Sequence, residues 1–109
     1  MTQVLLDDFK KIELRVAEVL DAQDIPGADK IWKLTIDLGS EKKEIVAGVK
    51  AFYTRDALIG KSIVVVQNLA PAVIRGVESH GMLLAAKDAG GRLAILSPDQ
   101  KVPPGSTVG

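Results

Sequence analysis

Ile12-Glu13-Leu14-Arg15-Val16-Ala17-Glu18-Val19 sets apolar residues against polar or small ones at alternate positions. A period of two sustained over such a stretch marks a strand with one face buried and the other in water. The breaker cluster Asp24-Ile25-Pro26-Gly27 ends it, because proline fixes φ and glycine tolerates positive φ. Alternation then resumes from Ile31 to Leu38. Trp32, Leu34, Ile36 and Leu38 share one face, and Lys33, Thr35 and Asp37 the other, with Ile31 interrupting the polar side.

Working outward, Gly39-Ser40 closes this second strand, and the charged run Glu41-Lys42-Lys43-Glu44 is expected at the tip of a short loop into a third, Ile45 to Val49. Tyr53 to Ile59, with Thr54 as N-cap and Gly60 as C-cap, suits one or two helical turns. Ser62 to Asn68 is the fourth strand and Met82 to Ala86 the fifth. Leu93 to Leu96 returns after the turn Asp88 to Gly91. Upstream, Asp7-Asp8 before Phe9-Lys10-Lys11-Ile12 suits a single short helical turn, and the proline-bearing tail from Ser97 reads as extended or turn-rich. Five strands in about 80 residues, with a short helix between the third and fourth, is the element order of an oligonucleotide/oligosaccharide-binding (OB) barrel, although an SH3-like barrel or a small open sheet shares much of it. The expected fold is therefore all-β: a five-stranded OB-fold barrel with a short C-terminal extension, one domain over residues 1–109.

A chain of 109 residues can build one hydrophobic core. Its 47% hydrophobic and 26% charged content is that of a globular protein. Lys plus Arg equals Asp plus Glu, 14 each, which argues against indiscriminate coating of a polyanion but leaves room for a local basic face. The absence of cysteine removes disulfides, thiolate nucleophiles and zinc–thiolate sites, and fits a cytoplasmic protein. The N-terminus lacks the basic start and long apolar stretch of a signal peptide. No membrane association is expected, since the longest apolar run, Ile63 to Val66, is far short of the roughly 20 residues that span a bilayer.

Catalysis has no foothold. One histidine, no cysteine and no paired-carboxylate spacing leave the usual base and nucleophile arrangements unmade. Ser79 and His80 are neighbours whose side chains would point to opposite faces of a strand. His80 has no second histidine to complete a metal site, phosphate-loop spacings are missing, and no cofactor is expected. Binding remains. Lys30, Lys33, Lys42, Lys43, Lys50, Arg75 and Arg15 are the cations available to a polyanion, each equally readable as a solvated charge. Lys30 and Lys33 follow the breaker loop and Arg75 precedes a glycine-rich turn, so a barrel could bring them onto one rim. Trp32 could stack a base, but it shares a face with Leu34, Ile36 and Leu38, which favours the core. The run Arg75-Gly-Val-Glu-Ser-His-Gly-Met-Leu-Leu-Ala-Ala86 is explicable either as a turn leading into a core strand or as a ligand-facing rim.

Five words in order resemble the tRNA-binding domain family, found in free-standing small proteins, methionyl-tRNA synthetase C-terminal domains, phenylalanyl-tRNA synthetase beta chains and CsaA-type secretion chaperones. They are Asp8-Phe9-x-Lys11-Ile12-Glu13-Leu14-Arg15-Val16, Ala28-Asp29-Lys30-Ile31-Trp32-x-Leu34, Ile45-Val46-Ala47-Gly48, Gly60-Lys61-x-Ile63-Val64-Val65-Val66-x-Asn68-Leu69, and Gly76-Val77-x-Ser79-x-Gly81-Met82-Leu83-Leu84-Ala85-Ala86. The resemblance implies a non-catalytic barrel, homodimeric when free-standing, that grips the outer corner of tRNA by shape. It implies Lys30, Ser79 and Met82 as contacts, with Asn68 and Arg75 beside them and Lys33 nearby. Lys30 would neutralise phosphate, Ser79 would offer a hydroxyl to phosphate or ribose, and Met82 an apolar, polarizable contact. Ala70-Pro71-Ala72-Val73-Ile74 lacks the basic residues that many members carry there. A neutral, apolar rim suits the CsaA-type alternative, a chaperone-like dimer that binds unfolded or exported polypeptides. The partners so implied are tRNA, a second copy meeting at Val4-Leu5-Leu6 and Val102, and an aminoacyl-tRNA synthetase or an unfolded polypeptide.

Overall fold

The computed structural model describes residues 1–109. A short helix α1 (Leu6–Phe9) leads into β1 (Leu14–Ile25), and the Pro26-Gly27 turn returns the chain along β2 (Ala28–Asp37). β3 (Lys42–Ala47), α2 (Arg55–Leu58) and β4 (Ser62–Val66) follow, then the short strands β5 (Ala72–Ile74), β6 (Val77–Ser79), β7 (Met82–Leu83), β8 (Ala85–Lys87), β9 (Leu93–Ile95) and β10 (Thr107–Val108). The architecture is all-β, with helices of four residues each. The main sheet runs in the order β3-β2-β1-β4-β7, with β10 also on β1, while β5–β6 and β8–β9 are separate ribbons.

β1 organises this sheet because it changes partners along its length. Its start pairs with β4 and β10, and its end with β2. Register shifts between Val19 and Asp21, and between Asp24 and Ile25, bend it on the way. An extra residue in a strand increases local twist, so β1 can curve enough to serve both halves. The concave face buries Val19, Leu34, Ile36, Ile45, Leu58, Ile63 and Val65 completely. Each such side chain is worth about 1.5–3 kcal/mol when withdrawn from water. Trp32 belongs to this core: its indole N–H donates to the Tyr53 carbonyl at 2.9 Å, and the Tyr53 hydroxyl accepts from the Ile95 N–H at 3.0 Å.

α2 forms where its cap requires. Thr54 Oγ1 accepts from the Ala57 N–H at 3.2 Å, and Leu58 is buried below. Arg55 donates to the Asp21 carboxylate at 2.6 Å and to the Ala22 carbonyl at 3.2 Å, which ties the helix to the bulged part of β1. The hydrogen bond from Arg55 is the main reason the Asp21 carboxyl titrates below its ordinary value.

The strands differ from the sequence expectation in several places, beginning with β1, which runs on through Asp24 to Ile25. Gly39-Ser40 makes the β2–β3 tip, and Lys42 to Glu44 already pair with β2. Met82 to Ala86 divides at Leu84 into β7 on β4 and β8 on β9, because the strand changes partner there. β10, in the proline-bearing tail, pairs with Leu14 and Arg15. The hairpin β5–β6 was not expected at all, since Arg75 is a poor residue for its turn.

No ladder joins β3 to β7, so the sheet is not closed by strand pairing. Two hydrogen bonds bridge the gap instead. The His80 N–H donates to the Glu44 carbonyl at 3.0 Å, and Ser79 Oγ accepts from the Val46 N–H at 2.9 Å. Gly81 fits between the flanking strands only without a side chain: a Cβ there would lie 2.9 Å from the Val66 carbonyl oxygen and 3.4 Å from Ile45 Cγ2. No helix is long and apolar enough to cross a membrane.

Because a backbone oxygen cannot swing aside, Gly81→Ala should destabilise the fold by about 2 kcal/mol. Urea unfolding measures this, and an unchanged midpoint would show that the crossing widens freely. Asp21 gives a second prediction. A carboxyl held below 3.8 only in the folded state contributes its full stability above that pH and loses it as pH falls through the lower folded value. Acid unfolding of Asp21→Asn should therefore be less pH-dependent than wild type below pH 3.8 and parallel to it above.

Candidate functional site

The hairpin that sequence alone missed builds the site. Ile74 pairs with Val77, leaving Arg75 and Gly76 as a two-residue loop with φ of 52° and 79°. Positive φ at both central residues matches the twist of the flanking strands. Glycine accepts that conformation freely, whereas an arginine held there costs about 1–2 kcal/mol. Arg75 is the one non-glycine residue with positive φ. The hairpin is held against the convex face of the sheet by Val77, which packs with Ile31 on the cluster of Ile25, Ala28 and Val46. That docking lays the turn beside the β1–β2 turn. Gly27, Ala28, Asp29, Lys30, Ile31 and Arg75 line the resulting cleft of about 230 Å³.

Lys30 and Arg75, expected from the sequence on one rim, therefore line one cleft, while Lys33 does not. Neither makes an ion pair, although most other cations do: Lys11 with Asp8, Arg15 with Glu13, Lys33 with Glu44, Lys43 with Glu41, Lys50 with Asp24, Arg55 with Asp21 and Arg92 with Asp88. Lys50 is near Lys30, since its N–H donates to the Lys30 carbonyl at 3.3 Å. Its ammonium, however, lies 4.8 Å from the Trp32 ring centre and is paired with Asp24. Lys33 reaches Glu44 at 3.3 Å and stays partly exposed. Met82 is 45% exposed on β7, opposite Val66.

Two expected contact residues use their polar atoms inside the fold. Asn68 Oδ1 accepts from the Glu13 N–H at 2.8 Å and its Nδ2 donates to the Lys11 carbonyl at 2.7 Å, extending the β1–β4 pairing past the end of the strand. Ser79 is only 4% exposed. Its hydroxyl accepts from Val46 and donates to the Gly81 carbonyl at 3.0 Å. The physical reason is the unclosed sheet edge, where the Val46 N–H has no strand partner.

Two apolar surfaces complete the description. Leu69, Val73 and Ile74 are exposed around β5, with Val73 at 72%. At the far end, Leu6, Phe9, Ile12, Leu14 and Val108 line a groove of about 340 Å³, with Leu5 exposed beside it. Val4 to Leu6 were expected there from the sequence. Val102 does not line the groove, whereas Phe9, Ile12 and Val108 do.

A family model described as "Putative tRNA binding domain" matches residues 14–107. The chain is 51% identical over 108 residues to methionine–tRNA ligase of Methanococcus aeolicus, covering 99% of the chain but 16% of the ligase. The crystal structure of a MetRS related protein from Pyrococcus horikoshii superposes with a TM-score of 0.93 at 34% identity, covering 99% of each chain. Chaperone CsaA from Bacillus anthracis superposes with a TM-score of 0.89 at 28% identity, covering 99% of this chain and 100% of that one.

Proposed function

This chain belongs to the tRNA-binding domain family, and we propose on that footing that it is a non-catalytic module gripping folded tRNA at its outer corner, on an OB-type barrel left partly open. The observation that carries this is the pairing of Lys30 and Arg75, both without ion-pair partners, in a single open cleft. Two cations in one cleft, with Asp29 also on its lining, suit backbone phosphates, which position an RNA without reading its sequence. Met82 supplies an apolar contact to ribose or base, and Lys33 stands at the periphery. With one buried tryptophan and no aromatic platform, recognition rests on shape, the mode suited to a structured RNA. The strain at Arg75 fits a functional assignment, since a left-handed arginine persists only where the surroundings enforce it.

The chain spans 16% of the M. aeolicus ligase it resembles, so aminoacylation is not assigned to it. A synthetase acting in trans is the partner class that this reading implies. A tRNA ligand and the lack of cysteine fit the cytoplasm. The similarity to chaperone CsaA and the exposed Leu69, Val73 and Ile74 favour a second activity, capture of unfolded polypeptide on β5. Homodimerisation is supported by the apolar groove around Phe9 and by the exposed Leu5 and Leu6.

Titration with total tRNA at several salt concentrations should give binding that weakens steeply with salt. Lys30→Ala and Arg75→Ala should each flatten the log–log salt slope by about 0.9, and Met82→Ala should lower affinity without changing it. Insensitivity to all three rules out the site, and displacement of tRNA by an unfolded polypeptide would reveal the second activity. In sedimentation, the wild type should run as a dimer and Phe9→Glu as a folded monomer. A strictly monomeric wild type would refute the dimer.

A further inference from the structure

Resting on the RNA-binding assignment, we propose that Ser79 is a positioning residue: its buried hydroxyl holds the Arg75 hairpin and the Met82 strand in place and does not touch RNA. Ser79 is the one polar residue among those classed as fully buried. A buried hydroxyl is costly unless paired, and this one is paired as both acceptor and donor. Its one proton is committed to the Gly81 carbonyl, and at 4% exposure its remaining lone pair is turned away from solvent.

Its place in the chain explains the role. Residues 79–82 carry the backbone from the hairpin into the main sheet. Ser79 pairs with Ala72 at the hairpin base, His80 bonds Glu44 on β3, Gly81 lies against the Val66 carbonyl, and Met82 pairs with Val66. Three attachments therefore fix the hairpin: Val77 on the convex apolar cluster, Ser79 Oγ on the Val46 N–H, and the His80 N–H on the Glu44 carbonyl just beyond it. Between Val77 and Arg75 lies only Gly76, so the guanidinium follows wherever these anchors put it. Removing Oγ would leave the Val46 N–H without a partner and the hairpin base held to β3 by the His80 N–H alone. The turn would then swing relative to Lys30 and open the cleft that the two cations share.

The two roles of Ser79 make opposite predictions about salt. Loss of a neutral hydroxyl contact lowers affinity without altering counterion release, whereas displacement of Arg75 removes a phosphate contact and flattens the slope. The test is tRNA titration across salt with full-length Ser79→Ala, Ser79→Thr, Val77→Ala, Arg75→Ala and the Ser79→Ala/Arg75→Ala double variant. Ser79→Ala should lose about 0.9 of the salt slope, the double variant should bind no worse than Arg75→Ala, and Ser79→Thr, which keeps the hydroxyl, should recover the wild-type slope. A wild-type slope in Ser79→Ala, with losses additive to those of Arg75→Ala, would overturn the proposal in favour of direct contact. If Ser79→Ala shows no cooperative urea transition, Val77→Ala and the Val77→Ala/Arg75→Ala double variant decide: Val77→Ala loosens the same hairpin while keeping the Ser79 hydroxyl, so non-additivity with Arg75→Ala supports the proposal and additivity overturns it. Should Lys30→Ala and Arg75→Ala both leave binding unchanged, the RNA site itself fails, and the role of Ser79 falls with it.

Discussion

A curved sheet whose edge strands are not paired must satisfy their backbone groups in some other way, and here the Ser79 hydroxyl does so by standing in for a missing strand at Val46. The bond between Ser79 Oγ and the Val46 N–H, with the His80 N–H on the Glu44 carbonyl, joins edges that no ladder connects. An unsatisfied buried donor at Val46 would cost about 1–3 kcal/mol and expose an edge to other chains. Side-chain closure also differs from strand closure in its consequence. A full ladder would carry the chain straight along β3, whereas one hydroxyl and one amide let it turn away on either side of the seam.

That freedom gives the hairpin its place. Above the seam the chain leaves the sheet as β5–β6 and folds onto the convex surface, where Val77 buries against Ile25, Ala28 and Val46. Val77 is half-buried and contributes part of the about 1.5–3 kcal/mol of a fully buried valine, set against the roughly 1–2 kcal/mol of a left-handed arginine. The cleft thus depends on apolar packing for the energy and on the seam for the direction. The strain at Arg75 is tolerable because the strand that follows it is anchored at Val77 and Ser79.

Much of this was legible in the sequence, and the failures have physical causes. Alternation marked β1, β2 and the buried run of β4 because each has one face in the core, and Thr54 was readable as a cap because its chemistry is local. The extent of β1 was not, because a strand that changes partners buries different residues on either side of its bulges and blurs the period. β5–β6 escaped notice because Ala72, Val73 and Ile74 are all exposed and show no alternation. Its Arg75-Gly76 turn lacks the asparagine or aspartate that usually announces such a loop, though a glycine between β-branched residues was a faint signal. Of the site residues, charge offered Lys30 and Arg75 among seven cations, and the family resemblance pointed to Lys30 with Arg75 beside the same motif. The hydroxyl of Ser79 and the amide of Asn68 look in sequence like groups on offer to a ligand. Only the fold shows that unpaired backbone groups have already claimed them.

Zero net charge then takes on a different meaning. With 14 cations against 14 anions, the molecule has no long-range attraction to RNA to draw on. Half of its lysines and arginines, seven of 14, are tied to neighbouring carboxylates, which weakens them as competitors for phosphate. Lys30 and Arg75 are left together and unpaired, so what positive potential the surface offers on this side is concentrated in one cleft with walls fixed by β1, β2 and the hairpin. A diffuse basic surface holds any polyanion, and a pair of cations at fixed separation favours one whose phosphates arrive at that separation. On the proposed reading, a neutral protein discriminates by shape because it has no net charge to draw on, and the placement of the hairpin decides how sharp that is.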